Sequence, residues 1–154
     1  MTLIISSFLW ARELLICIPF RKRTTFVTLR PLTKNTLVFG AFFLALAVLI
    51  GAFGAHGLKS IVTPEKLVTF ETGVRYHFYH GFGLLFLGIL HHNFSTLKIN
   101  VSFYAFLVGT LLFSFNCYLY VLTDIKVFAM IVPLGGLMFI LGWIYLGVNL
   151  LKLR

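Results

Sequence analysis

Four runs in this chain are long and apolar, and no other feature constrains its fold as strongly. The first reads TLVFGAFFLALAVLIGAFGAH from Thr36 to His56; the others span Thr72–His91, Val101–Val121 and Lys126–Leu150. About 20 helical residues cross the roughly 30 Å hydrocarbon core of a bilayer. Backbone N–H and C=O groups in lipid have to be paired within their own segment, so runs of this length are helices. A β-barrel would show shorter stretches of alternating polarity, and the sequence has none. Composition points the same way. Only 11% of residues are charged and 60% are hydrophobic, whereas a soluble domain has about 25% charged residues. The expected class is all-α.

Short links join the runs: GLKSIVTPEK, HNFSTLKIN and LTDI. Such links force antiparallel neighbours, which predicts a four-helix transmembrane bundle in up-down-up-down order. Thr63-Pro64-Glu65 has the composition of a helix start, with a cap, a proline at the first position and an acid at the positive dipole end. A second helix beginning there is too long for the core, so its first two turns are expected in the headgroup region, broken from the rest at Gly73. Counting Lys and Arg gives the orientation. Six precede the first run (Arg12, Arg21, Lys22, Arg23, Arg30, Lys34), and Lys98, Lys152 and Arg154 fall on the same side. Lys59, Lys66, Arg75 and Lys126 fall on the other. The positive-inside rule then puts both termini in the cytoplasm.

A net charge of +9 ordinarily suggests nucleic acid, but no basic face survives inside the spans. The charge reads as topology and attraction to anionic membrane lipids. Residues 1–33 form a basic extension ahead of a membrane domain at 34–154. Arg12 and Glu13 interrupt its apolar stretch, unlike a secretory signal. An interfacial helix, a mitochondrial transit peptide and a non-native extension are the readings open for it. Cys17 and Cys117 are far apart and form no redox or zinc motif.

The polar residues within the runs gather in the half predicted to face outward. His77 and His80 share a helical face, as do Tyr76 and His80, and Glu71 stands four residues before Arg75 in the favourable order for a pair. Ionisable groups in a bilayer normally face one another or water. The expectation is a polar hub of His56, Glu71, Arg75, Tyr76, His77 and His80. Asn116 and a break at Pro133-Leu134-Gly135-Gly136 would form its lid. HxxH with His56 or Glu71 as third ligand could hold a metal, but at helical spacing the bland reading, histidines hydrogen-bonded at a wet boundary, outweighs it. No motif implies a cofactor. Small residues mark the expected helix contacts: Ala47, Gly51, Gly54 and Ala55 on the first helix, Gly73, Gly81 and Gly88 on the second, and Gly135, Gly136 and Gly142 on the fourth.

GAFGAHGL, FETGVRYHFYH, LLFSFNCYLY and VPLGGLMFILGW, in this order and spacing, resemble the small membrane proteins grouped as domain of unknown function 423, to which transmembrane protein 256 of animals is similar. The resemblance covers about residues 36–150. It implies about four membrane helices and no established activity. Gly51, Gly54, Ala55 and His56 fit its first motif; Thr72, Gly73, Tyr76 and His80 the second; Pro133, Gly135, Gly136, Gly142 and Trp143 the last. The family typically has glutamine at His77, which argues for a hydrogen-bonding role over metal ligation. It usually reads Phe-Ser-Gly-Ser where this chain has Phe115 and Asn116 at the last two places.

With no catalytic constellation, the expected protein is a structural or accessory one, not an enzyme, whose hub fixes helix packing. The alternative is a protein that binds or transports a small ligand, a proton or a lipid, acting as an oligomer because one copy lacks a polar path. Membrane lipids and a second copy are the expected partners, with no nucleic acid. The bacterial plasma membrane is the expected site, and the mitochondrial inner membrane the alternative.

Overall fold

A computed structural model describes residues 28–153; expectations for the extension lie outside the described residues, apart from its last six. Four helical rods follow one another: α1 (Pro31–Leu58), α2 (Pro64–Asn93), α3 (Asn100–Thr123) and α4 (Lys126–Leu151). No strand occurs among the described residues. Two rods contain a turn of π-helix, at Gly54–Leu58 at the end of α1 and at Leu111–Phe115 within α3. Pro31 and Pro64 begin α1 and α2, where a missing N–H costs nothing. Asp124 ends α3 in the left-handed region at φ 61° and turns the chain into α4.

By length and composition, α1, α3 and α4 are apolar enough to cross a membrane. α2 is the longest rod at 30 residues, about 45 Å at 1.5 Å per residue, yet it carries the histidines, Glu71 and Arg75. Its position in the packing accounts for that. α1 packs on one side of α2 and α3 on another, while α4 packs on α3. Neighbouring helices surround His77, His80 and His91, so that face need not be apolar, whereas Glu71 and Arg75 stay exposed toward the start of the rod.

Two expected breaks are absent. α2 runs unbroken through Gly73, and α4 through Pro133, Gly135 and Gly136. Gly73 is where α3 comes close: a Cβ there would stand 2.8 Å from Tyr118 Cε1 and 2.9 Å from Cys117 Cβ. Its size serves packing and not a turn. Pro133 removes one backbone hydrogen bond, but unwinding the helix at that depth would orphan several more.

α1 and α2 interlock by leucine and glycine. Leu37 covers Gly88, Leu85 covers Gly40, Leu44 covers Gly81 and Val74 covers Gly51. The numbers rise on one helix as they fall on the other. On α1 the buried face runs through Ala47, Gly54 and Leu58, while Ala55 is exposed, contrary to its expected place in the contact stripe. α3 and α4 meet in the same manner. Phe139 covers Gly109, Phe106 covers Gly142, and Gly135 lies against the backbone nitrogen of Phe113. The buried apolar residues form two clusters. Leu84, Leu87, Phe103, Phe106, Phe139 and Leu146 belong to the larger, and Leu58, Phe70, Tyr118 and Val121 make the smaller.

Candidate functional site: the polar seam of α2

His77 and His80 lie one turn apart on the buried face of α2 and serve two different neighbours. His80 is 4% exposed and paired at both nitrogens. Nδ1–H donates to the Tyr76 carbonyl at 2.8 Å, and Nε2 accepts from Trp143 Nε1–H of α4 at 3.3 Å. Those two bonds require the neutral ring with its proton on Nδ1. The ring lies flat on Phe139, with centroids 3.3 Å apart. Tyr76 stacks on Phe113 of α3 at 4.5 Å and, more distantly, on His80 and Phe139. One histidine thereby joins α2 to α4 through a slab of nearly parallel rings.

His77 is fully buried. Its Nδ1 meets the Tyr118 hydroxyl of α3 at 3.3 Å, Phe43 of α1 stands edge-on to the ring at 5.3 Å, and Nε2 has no partner. The two histidines do not converge, and among the described residues no group of three His, Cys, Asp or Glu could hold a metal ion.

The remaining expected members of the hub lie elsewhere. His56 is exposed on the π turn ending α1 and makes no side-chain hydrogen bond among the described residues, so it does not face the buried histidines. Glu71 and Arg75 are exposed on α2. Arg75 Nη2 donates to Thr72 Oγ1 at 3.0 Å, and the ion pair found among the described residues is instead Lys66 with Asp124, at 2.8 Å. Asn116 is no lid. Its amide donates to the carbonyls of Leu111 and Leu112 at 3.1 and 3.0 Å, groups that the π turn of its own helix leaves short of partners. The site is therefore Tyr76, His77 and His80, completed by α3 and α4 and not by the end of α1. The helix start expected at Pro64 is also found. Because α2 begins at Pro64, His80 stands near its middle, roughly 24 Å from its start at 1.5 Å per residue.

Sequence reasoning missed Trp143 and Tyr118 as partners. Each is an aromatic residue with a polar tip inside an apolar run, and such tips seek partners when buried. It also missed a contact at the other end of the molecule, where Thr33 Oγ1 meets His91 Nδ1 at 2.7 Å, both buried. In the sequence Thr33 falls within the basic extension and His91 at the end of the second apolar run, so neither points to the other. Ser102, bonded to the Gly142 carbonyl at 2.8 Å, gave no periodic signal at all.

Beside His80, an open groove of about 530 Å³ runs between α2 and α4, lined by Tyr76, Tyr79, Phe139, Trp143 and their neighbours, with Gly136 in its wall.

Comparison with known proteins identifies the fold's relatives. The profile of a family described as "Protein of unknown function (DUF423)" matches residues 50–136. A UPF0382 membrane protein of Staphylococcus aureus (strain bovine RF122 / ET3-1) is 41% identical over 115 residues, covering 73% of this chain and 92% of that protein. UPF0382 membrane protein YwdK of Bacillus subtilis (strain 168) is 37% identical over 120 residues, covering 77% and 98%. A Staphylococcus saprophyticus relative of the same description is 38% identical over 122 residues, covering 78% and 99%. No solved structure matches the chain. The profile match, the length over which these relatives align and the three long apolar helices establish that this chain is a membrane protein of the DUF423 family.

Proposed function

We propose that the chain is a four-span protein of the bacterial cell membrane with a structural or accessory role, in which the α2 seam sets how the helices pack. All four rods cross the bilayer in this reading, α2 included, in up-down-up-down order with both termini cytoplasmic. The opposed numbering of the contacts between α1 and α2 and between α3 and α4 supports the order. The excess of Lys and Arg at the two termini and the middle link supports the orientation. Bacterial relatives named membrane proteins support the plasma membrane over the mitochondrial inner membrane. Single cysteines at Ser60, Thr96 and Thr123, in a background lacking Cys17 and Cys117, test the topology. A membrane-impermeant thiol reagent added to intact cells should label the first and third positions and spare the second; the reverse pattern would invert the protein.

The observation that carries the structural role is His80, buried and satisfied at both nitrogens by groups of the protein itself. A residue so enclosed holds α2 against α4 and has no lone pair or proton left for chemistry. His80→Gln, which keeps a donor and an acceptor, should leave the abundance of folded protein in the membrane near wild type. His80→Leu, which strands the Trp143 N–H, should lower it severalfold. Equal tolerance of both would remove the role. A second reading, binding of a small ligand or lipid with self-association, is favoured by the groove beside His80.

A further inference from the structure

We infer that the groove between α2 and α4 binds the head ring of a membrane-soluble quinone, a flat carbonyl-bearing ring on a long apolar tail. The inference goes beyond the structural role of the seam and rests on the reading that α2 crosses the bilayer.

Flatness comes from the walls. Tyr76, His80 and Phe139 lie with their ring planes within 21° of one another, and Phe113 continues the slab on Tyr76 at 30°. Tyr76 and Trp143 remain 38% and 42% exposed on the groove. His80 and Phe139, at 4% and 3% exposure, stack on each other inside the wall, so the aromatic surface open to an incoming molecule is that of Tyr76, Tyr79 and Trp143. Offset stacking on such rings suits a planar ring better than a flexible acyl tail.

Carbonyl recognition comes from the hydroxyls. Tyr76 and Tyr79 both line the groove, Tyr79 at 57% exposure, and neither hydroxyl meets an acceptor among the described residues. Both lie on α2 in the stretch around His80, near mid-helix. With α2 in the bilayer, as proposed above, a phenol without an acceptor in that stretch is costly. His80 and Trp143 satisfy each other, so the unspent capacity of the groove is donor capacity. Quinone oxygens accept such bonds.

Space comes from Gly136. At Gly135 an added Cβ would strike the Phe113 backbone, but at Gly136 it would meet only the Phe113 ring at 3.8 Å. Helix packing therefore needs a glycine at the first position and not at the second, where its absence of side chain leaves the groove open. The volume of about 530 Å³ falls in the range of small-molecule sites, about 300–1,000 Å³. Tyr79, Ile140 and Ile144 of its lining are exposed on the outer surface of the helices, the side from which a tailed ring would arrive from the bilayer.

The test uses the full chain in lipid nanodiscs and decylubiquinone, a benzoquinone with a ten-carbon tail, as the probe. Trp143 is one of two tryptophans, and a Trp10→Phe background makes its fluorescence report on the groove alone. Saturable quenching by decylubiquinone is expected. The double substitution Tyr76→Phe with Tyr79→Phe should weaken it about fivefold to tenfold, as loss of hydrogen bonds of this kind does. Gly136→Leu fills the groove and should abolish saturation while leaving the circular-dichroism melt unchanged. Decylbenzene, with the tail but no carbonyl, should fail to compete. Quenching that does not saturate, that is the same in Gly136→Leu as in wild type, or that decylbenzene displaces equally well would overturn the inference and leave the groove filled by lipid tails.

Discussion

The contact between α1 and α2 and the seam that joins α2 to α3 and α4 bring helices together by different means. The first is a matter of shape. Leu37, Leu44, Leu85 and Val74 drop onto Gly88, Gly81, Gly40 and Gly51, and along the middle of the pair no side-chain hydrogen bond crosses among the described residues. The second is made of bonds and rings: His80 to Trp143, His77 to Tyr118, and the stacked slab around Phe139, with Ser102 bonding α3 to Gly142 of α4 behind them. Lipid tails are as apolar as leucine, so association in a membrane relies on close packing and on polar groups that have no better partner. α1 stands at the edge with one buried face and relies on the former, apart from the Thr33–His91 bond at its start. α2 carries a polar load into the interior and has to have it met by its neighbours.

Substitutions that add one methyl group sharpen the contrast. Gly135→Ala should do the greatest damage, because its Cβ would collide with the backbone of Leu112 and Phe113, which cannot rotate away. A loss of about 3 kcal/mol, at the upper end for overpacking, is expected in a reversible unfolding titration in mixed micelles. Gly88→Ala meets the side chain of Leu37, at 2.6 Å from Cδ2, with the Leu37 backbone nitrogen no nearer than 3.4 Å. That side chain can yield, and alanine's better helix propensity offsets part of the strain, so a net cost of about 1 kcal/mol or less should appear in the same titration. Equal costs at the two glycines would mean that the edge contact is no softer than the inner one. The smallest effect belongs to Tyr118→Phe. It removes one long hydrogen bond of 3.3 Å to His77, and bonds of this kind in membranes average about 0.6 kcal/mol. A cost several times larger would show that His77 depends on Tyr118 far more than the distance implies.

The four helices were legible in the sequence because hydrocarbon thickness and backbone hydrogen bonding leave a chain few choices. Their ends came within a few residues, the start of α2 included: its first eight residues carry charges that an apolar run excludes, but Thr63-Pro64-Glu65 marks the helix start by its capping chemistry. What could not be read was which way each polar side chain turns. His56, His77 and His80 look alike in a linear reading, yet His56 is exposed while the other two are buried and answer to different helices. Proximity in sequence to a common end suggested one cluster, but rotation about the helix axes divided it. Gly73 and Pro133 misled for a related reason. Both are breakers in water, where a freed backbone group is solvated, and neither breaks a helix here. The partners of Gly40 and Gly109 were equally hidden, since a glycine announces space without saying who fills it.

The π turn at Leu111–Phe115 has a consequence for how this span can vary. It holds one residue more than an α-helical course would, and Asn116 compensates the carbonyls that the surplus displaces. Deleting a residue elsewhere in α3 would swing everything beyond it by about 100° around the axis. At Leu111–Phe115 the same deletion merely returns the rod to ordinary winding, with Phe106 still toward Gly142 on one flank and Tyr118 still toward His77 on the other. A one-residue gap in a shorter descendant of this chain has a natural home there.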